Sequence, residues 1–195
     1  MPLLRIPTIS SRTGLNRRSF LSLMVWAGLF SFSSEPAIAA VGAISSGERS
    51  LSLYNPVTKE SFDGVFWRSG AYDAEALKNI NHLMRDTYTG SVKPIDIDLL
   101  DLIFAISKEL NPQRPFHVIC GYRTPETNAL LLKRDKRAAK NSYHMKGQAV
   151  DIRIPGLKTS TLRRAAYKLK KGGIGYYPWR RFVHIDVGPV RYWNA

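Results

Sequence analysis

The chain has 195 residues, 44% hydrophobic and 23% charged, with a formal net charge of +14. That length and balance suit one globular domain able to bury its own core, and a single cysteine, Cys120, excludes an intrachain disulfide. So basic a chain suits a polyanionic partner, whether nucleic acid, an anionic membrane or an acidic wall polymer, or equally a basic surface that only keeps the protein soluble.

Residues 1–39 read as an export signal of the twin-arginine type. Arg5, Arg12, Arg17 and Arg18 precede an apolar run from Phe20 to Phe32, and Asn16-Arg17-Arg18-Ser19-Phe20-Leu21 resembles the twin-arginine motif. An ordinary secretory signal with two adjacent arginines is the alternative. Ala37-Ile38-Ala39 is a small-x-small cleavage pattern that makes Ala40 the new N-terminus. The run falls short of the roughly 20 residues of a membrane span, so no span is expected after cleavage. Four of the 29 basic residues and one of the 15 acidic ones precede Ala40, which leaves the mature chain at +11. An exported, periplasmic protein argues against nucleic acid as the partner of that charge.

Residues 40–50 are small and polar and read as a flexible lead. Leu51-Ser52-Leu53-Tyr54 alternates as a short strand, ended by the turn at Asn55-Pro56. Val65-Phe66-Trp67 is a second apolar piece. Asp73 is placed to cap a helix with Leu77, Ile80, Leu83 and Met84 inward, running to about Tyr88-Thr89-Gly90; His82 falls off that face. A second helix starts near Ile95, with Asp96, Asp98 and Asp101 where the dipole favours negative charge. Leu100, Ile103, Phe104 and Leu110 give its core face, and Pro112 and Pro115 close it.

Phe116–Cys120 reads as a buried strand. His117 and Cys120, three apart, are expected on opposite faces and so not on one metal. Thr124-Pro125-Glu126 opens a helix with proline at its first position, followed by a basic run from Lys133 to Lys140. Gln148–Ile154 is a strand. Thr159 or Ser160 is expected to cap a helix with Leu162, Ala165, Ala166 and Leu169 inward, stopped at Gly172-Gly173. Ile174–Tyr177 and Phe182–Val187 form a hairpin through Pro178. Helices and strands mix without a βαβ rhythm, so the fold class is α+β: one domain over residues 51–195, with a central antiparallel sheet flanked by helices.

Two histidines and an aspartate stand out. His144 lies in the loop that enters the strand of Asp151, with Gly147 at the bend. His184 and Asp186, two apart in a strand, share a face. Three such donors and a water make an open, catalytic zinc site, and no cysteine is expected to close it. On spacing alone, core histidines bonded to carboxylates are the commoner reading.

Ser142-x-His144-x-x-Gly147-x-Ala149-x-Asp151-Ile152, with Phe182-Val183-His184-Ile185-Asp186-x-Gly188, resembles the zinc-site pattern of the LAS-type metallopeptidases. That superfamily groups D-Ala-D-Ala carboxypeptidases, murein endopeptidases and the Hedgehog signalling domain. The sequence is most similar to the MepK branch of murein endopeptidases. This likeness extends through Gly121-Tyr122-Arg123, Asn128, Gly172 to Tyr177 and Arg191-Tyr192-Trp193, nearly the whole mature chain. The resemblance implies that His144, Asp151 and His184 bind Zn2+, and that Tyr122, Arg123 and Tyr177 meet the substrate. Arg123 would stabilise an oxyanion or grip a carboxylate. Many members place a glutamate three residues before the last zinc histidine, or a histidine two before it. Arg181 and Phe182 stand there, and neither takes a proton from water. Asp186 is the nearest acid: either the general base or a partner that orients His184.

The function so implied is hydrolysis of the cross-links between peptidoglycan stem peptides. Two alternatives stay open: a non-catalytic wall-binding protein that keeps the zinc, and a D-Ala-D-Ala carboxypeptidase.

Overall fold

The computed structural model describes residues 47–135 and 138–195; the export signal and most of the flexible lead lie outside them. The first strand, β1 (Arg49–Tyr54), begins two residues before the alternation of Leu51 and Leu53. It pairs antiparallel with β2 (Ser61–Arg68), which extends the apolar piece at Val65–Trp67 in both directions and pairs in turn with the short β3 (Ala71–Tyr72).

Helix α1 (Ala74–Leu83) starts where expected, with the Asp73 carboxylate accepting from the Ala76 amide at 2.8 Å. It ends five residues or more before Tyr88–Gly90. The reason is Asp86, whose side chain accepts from the Tyr88 and Thr89 amides. That local turn competes with another helical turn for the same backbone donors. Helix α2 (Ile97–Leu110) is capped by Asp96 and buries Leu99, Leu100, Leu102, Ile103 and Ile106. Its start is tied to the site: the Asp96 amide donates to Gly147 O at 2.9 Å, and Asp96 Oδ2 accepts from Gln148 Nε2 at 2.9 Å.

After β4 (Phe116–Cys120), Thr124 caps α3 (Pro125–Arg134). A short 3-10 turn over Tyr143–Lys146 leads into β5 (Ala149–Arg153). Helix α4 (Thr159–Lys168) buries Leu162, Ala165 and Ala166 as expected, but its N-cap is Lys158, without a side-chain cap bond. The hydroxyls of Thr159 and Ser160 therefore lie inside the helix rather than ahead of it. The hairpin is present as β6 (Gly173–Tyr177) and β7 (Phe182–Asp186), and β8 (Arg191–Asn194) follows.

The eight strands form one sheet in the order β3-β2-β1-β4-β5-β7-β6-β8. The fold is α+β, but the sheet is mixed, because β1 with β4 and β6 with β8 run parallel. The expected central antiparallel sheet is present as β4-β5-β7-β6, and the two parallel pairings lie to either side of it. One face carries Leu53, Phe116, Val118, Ile152, Val183 and Ile185 into the core with α2 and α4. The opposite face of the central strands carries the polar residues of the candidate site. No helix among the described residues is long and apolar enough to cross a membrane.

Candidate metal centre

Strand parity decides most of the site. In the pairing of β5 with β7, Asp151 lies opposite His184 and Ala149 opposite Asp186, so all four share one face. Val150, Ile152, Val183 and Ile185 occupy the alternate positions and are fully buried on the core side. His144 arrives from the 3-10 turn. Ser142 caps that turn through the His144 amide, and Gly147 ends it at φ 71°. A side chain at Gly147 would meet Pro94 O at 2.5 Å, so the tight return into β5 needs glycine twice over.

Three atoms converge. His144 Nε2 lies 3.1 Å from His184 Nδ1 and 3.3 Å from Asp151 Oδ1, and His184 Nδ1 lies 2.9 Å from Asp151 Oδ1. The far sides of both rings fix which nitrogen carries hydrogen. His144 Nδ1 donates to the carbonyl of Gly121 at 2.7 Å, and His184 Nε2 donates to Asp186 Oδ2 at 2.9 Å. In the neutral rings this leaves Nε2 of His144 and Nδ1 of His184 as bare acceptors beside a carboxylate. Three lone-pair donors meet at one point with no protein hydrogen to share among them, an arrangement that a cation satisfies. Donors about 2.0–2.2 Å from one tetrahedral ion stand roughly 3.3 Å apart, which these spacings fit.

The electrostatics agree. Burial lowers the pKa of His144, but Cys120 and the Asp151 carboxylate outweigh it and raise it to about 10, so a proton on His144 Nε2 competes with a metal ion for this point. Burial raises the pKa of Asp151, yet the two imidazoles hold it below the usual carboxylate range. Positive charge is therefore favoured at the point where these groups meet.

Asp186 is sealed beneath His184, with 0% exposure. Its Oδ1 accepts from the amides of Gly173 and Gly188 and from Arg191 Nη1; its Oδ2 accepts from Arg191 Nη2 and His184 Nε2. Burial alone would raise its pKa; the bonds from His184, Arg191 and Gly188 bring it down to about 2.

Cys120 overturns an expectation. The ladder between β4 and β5 pairs His117 with Arg153 and Val118 with Ile152, then shifts so that Cys120 lies opposite Asp151. This bulge re-aims the cysteine onto the site face, as bulges beside functional sites do. Cys120 Sγ, His144 and Asp151 form a group whose donor atoms all lie within 4.8 Å of one another and could hold a metal ion. The opposite-face argument from a spacing of three fails at the bulge, and the site does have a cysteine beside it. Burial raises the thiol pKa, while His144 and Arg123 bring it below the ordinary value overall. His117 stays away from the centre, its ring 4.8 Å from that of Tyr54.

The other expected residues lie around this core. Arg123 donates to Asn128 Oδ1 at 3.1 Å and to Cys120 Sγ at 3.3 Å, so its guanidinium is fixed at the edge of the site. Tyr122 stands next to it, its amide donating to Met84 O at 2.7 Å. Tyr177 is one remove away: its ring stacks on Phe182, and its hydroxyl accepts from Trp193 Nε1 at 3.1 Å. The Trp193 ring lies 5.2 Å from that of His184. It fits there because its strand neighbour is Gly175, where a Cβ would come within 2.5 Å of the indole. Arg181 is an exposed turn residue at φ 56°, and Phe182 is buried under Tyr177. Sequence reasoning named Arg191 and Trp193 as points of likeness but gave them no task; the only local sign was their i, i+2 spacing in a strand.

Comparison with known proteins places the chain within a class: residues 43–193 match a family model of M15-type peptidases described as peptidoglycan L,D-endopeptidase MepK. The peptidoglycan L,D-endopeptidase MepK of Escherichia coli (strain K12) is 39% identical over 178 residues, covering 91% of this chain and 97% of that protein. A probable peptidoglycan L,D-endopeptidase MepK of Haemophilus influenzae is 37% identical over 181 residues, covering 92% and 96%. The chain belongs to the MepK peptidoglycan L,D-endopeptidase family.

Proposed function

We propose that this chain is an exported, zinc-dependent peptidoglycan endopeptidase, acting in the periplasm on peptide cross-links between stem peptides, with L,D bonds as its target. The observation that carries the reading is the convergence of His144 Nε2, Asp151 Oδ1 and His184 Nδ1, three bare donors on one spot. They are the proposed zinc ligands. Zinc, when bound, supplies a Lewis acid that acidifies a water and polarises the scissile carbonyl. The preference for an L,D bond follows the names of the relatives.

The remaining roles fall to residues around those three. Asp186 holds His184 in the tautomer that frees Nδ1 and is a positioning residue, since a carboxylate committed to five donors has little left for a water. Arg123 presents a guanidinium fixed by Asn128 and Cys120 toward a developing oxyanion or a substrate carboxylate. Tyr122 lines a cavity beside the centre, and Tyr177 reaches the centre only through Trp193. The +11 of the mature chain favours an anionic wall polymer.

A second reading has its own observation, the thiol of Cys120 beside His144 and Asp151. With cysteine as a fourth ligand the centre would be closed, as structural zinc sites are, and the protein would bind wall without cutting it. One experiment separates the two. Metal content is determined on the purified protein, which is then incubated with cross-linked muropeptides, with and without chelator, and the products are weighed. One zinc per chain and chelator-sensitive loss of cross-linked dimers supports the endopeptidase; zinc without cleavage supports the binding protein.

A further inference from the structure

Beside the metal centre lies a cavity of about 200 Å3. Its floor is the end of β4 and the residues after it, Ile119 to Tyr122. One wall is the turn Asp86–Tyr88; the other is the face of α3 bearing Thr127, Leu130, Leu131 and Arg134. The two walls are clamped together. Asp86, 2% exposed, accepts from the Thr124 amide at the start of α3 at 2.7 Å and from the Tyr88 amide at 2.8 Å.

Helix α3 is unusual in what it buries. It carries three consecutive leucines, yet its one buried residue is Asn128. Leu130 is 50% exposed, and Tyr88 across the cavity is 73% exposed. These apolar side chains give nothing to the core and are available to something that enters between them. The charge lining the cavity is mostly positive. Three guanidiniums and one carboxylate, Asp86, line it; Asp86 is occupied by the amides of Tyr88, Thr89 and Thr124, and Arg85 is paired with Glu60 at 2.6 Å. Arg123 and Arg134 have no carboxylate partner among the described residues. The cavity is also continuous with the centre: Cys120 and Arg123 belong to both, and the Gly121 carbonyl that accepts from His144 sits on its floor.

We infer that this cavity is a substrate subsite that takes one residue of the stem peptide, with an aliphatic stem and a free carboxylate, next to the bond to be cut. The volume admits a single residue, since pockets for larger ligands run to about 300–1,000 Å3. The leucines and tyrosines would cover the aliphatic part, and Arg123 and Arg134 would hold the carboxylate. The identity of the ligand rests on the proposed endopeptidase reading; the apolar and cationic character of the cavity does not.

The test is a titration of the zinc-loaded full chain with the uncross-linked disaccharide tetrapeptide, and with the same compound after amidation of its peptide carboxylates. Loss of a hydrogen bond to a charged group should weaken binding about tenfold or more. The amidated probe, and the variant Arg134→Gln with the free acid, should each show that loss, and Leu130→Gln, which removes apolar cover, should also weaken binding of the free acid. Arg68→Gln, the same charge change on the far edge of the sheet, should show none. Equal binding of both probes, no binding of either, or an equal loss with Arg68→Gln overturns the subsite. Hydrolysis of cross-linked dimers by the same sample reports separately on function. Discrimination without hydrolysis sinks the endopeptidase and keeps the subsite; hydrolysis without discrimination does the reverse.

Discussion

Replacing Asp186 by asparagine tests how the centre is held. The carboxylate accepts from five donors, and an amide keeps only one accepting oxygen. If the new NH2 takes the place of Oδ2, it faces Arg191 Nη2 and His184 Nε2; if it takes the place of Oδ1, it faces two backbone amides and Arg191 Nη1. The first orientation loses fewer bonds. It also invites His184 to turn its proton round, from Nε2 to Nδ1, which cancels the lone pair facing Asp151. Loss of such a supporting partner typically costs about 10–100-fold in metal affinity, or roughly 1.4–2.7 kcal/mol. Removing one partner of a buried ion pair costs a further ~3–5 kcal/mol of fold stability. The lower end applies here, because the Arg191 side chain is 39% exposed and can turn to water. Zinc affinity is measured by competition with a chelator, and hydrolysis is followed as zinc is added. The variant should bind zinc 10–100-fold more weakly and regain most of its activity at saturating zinc. A pKa near 2 already makes Asp186 a poor proton acceptor at neutral pH. Unchanged zinc affinity with no hydrolysis at any zinc concentration would refute the positioning role and make Asp186 the general base.

Other outcomes follow from the same geometry. His144→Ala, Asp151→Ala and His184→Ala should each lose zinc and hydrolysis while the helical circular dichroism persists; full zinc in any one of them means the ligand set is wrong. Cys120→Ser should keep one zinc per chain, and loss of the metal by elemental analysis would make the thiol a ligand. Gly175→Ala places a methyl 2.5 Å from the Trp193 indole, so denaturant unfolding should show a loss of about 1–3 kcal/mol; an unchanged midpoint would mean that Trp193 moves freely. Arg85 holds Glu60 at about 2 against an ordinary 4.5. A depressed carboxylate stabilises the fold above its unfolded pKa and loses that contribution as pH falls toward its folded one. Glu60→Gln should therefore cost at most ~1 kcal/mol at pH 7 for so exposed a pair, and the gap from wild type should close as pH approaches 2. A gap that persists there would show that packing, not charge, is what the substitution removed.

What the sequence revealed, and what it hid, follows from how each signal arises. The faces of α1, α2 and α4 and the alternation of β5 and β7 are local periodicities, and they appear in the structure with the expected residues inward. Asp151, His184 and Asp186 could be set on one face because parity holds along an unbroken strand. The end of α1 was hidden because Asp86 forms a turn whose other oxygen reaches Thr124, 38 residues on, and a window around the helix cannot contain that partner. The two parallel pairings were hidden for a similar reason: β1 meets β4 only after two helices have passed between them. Cys120 is the sharpest case. Its spacing from His117 gives the wrong face because a bulge inserts one residue, and the pairing that creates the bulge lies in β5, about thirty residues further along. Parity is a property of a ladder rather than of a strand. Side chains next to an irregularity in the ladder are therefore the ones a sequence misplaces, and here that side chain stands against the candidate metal centre.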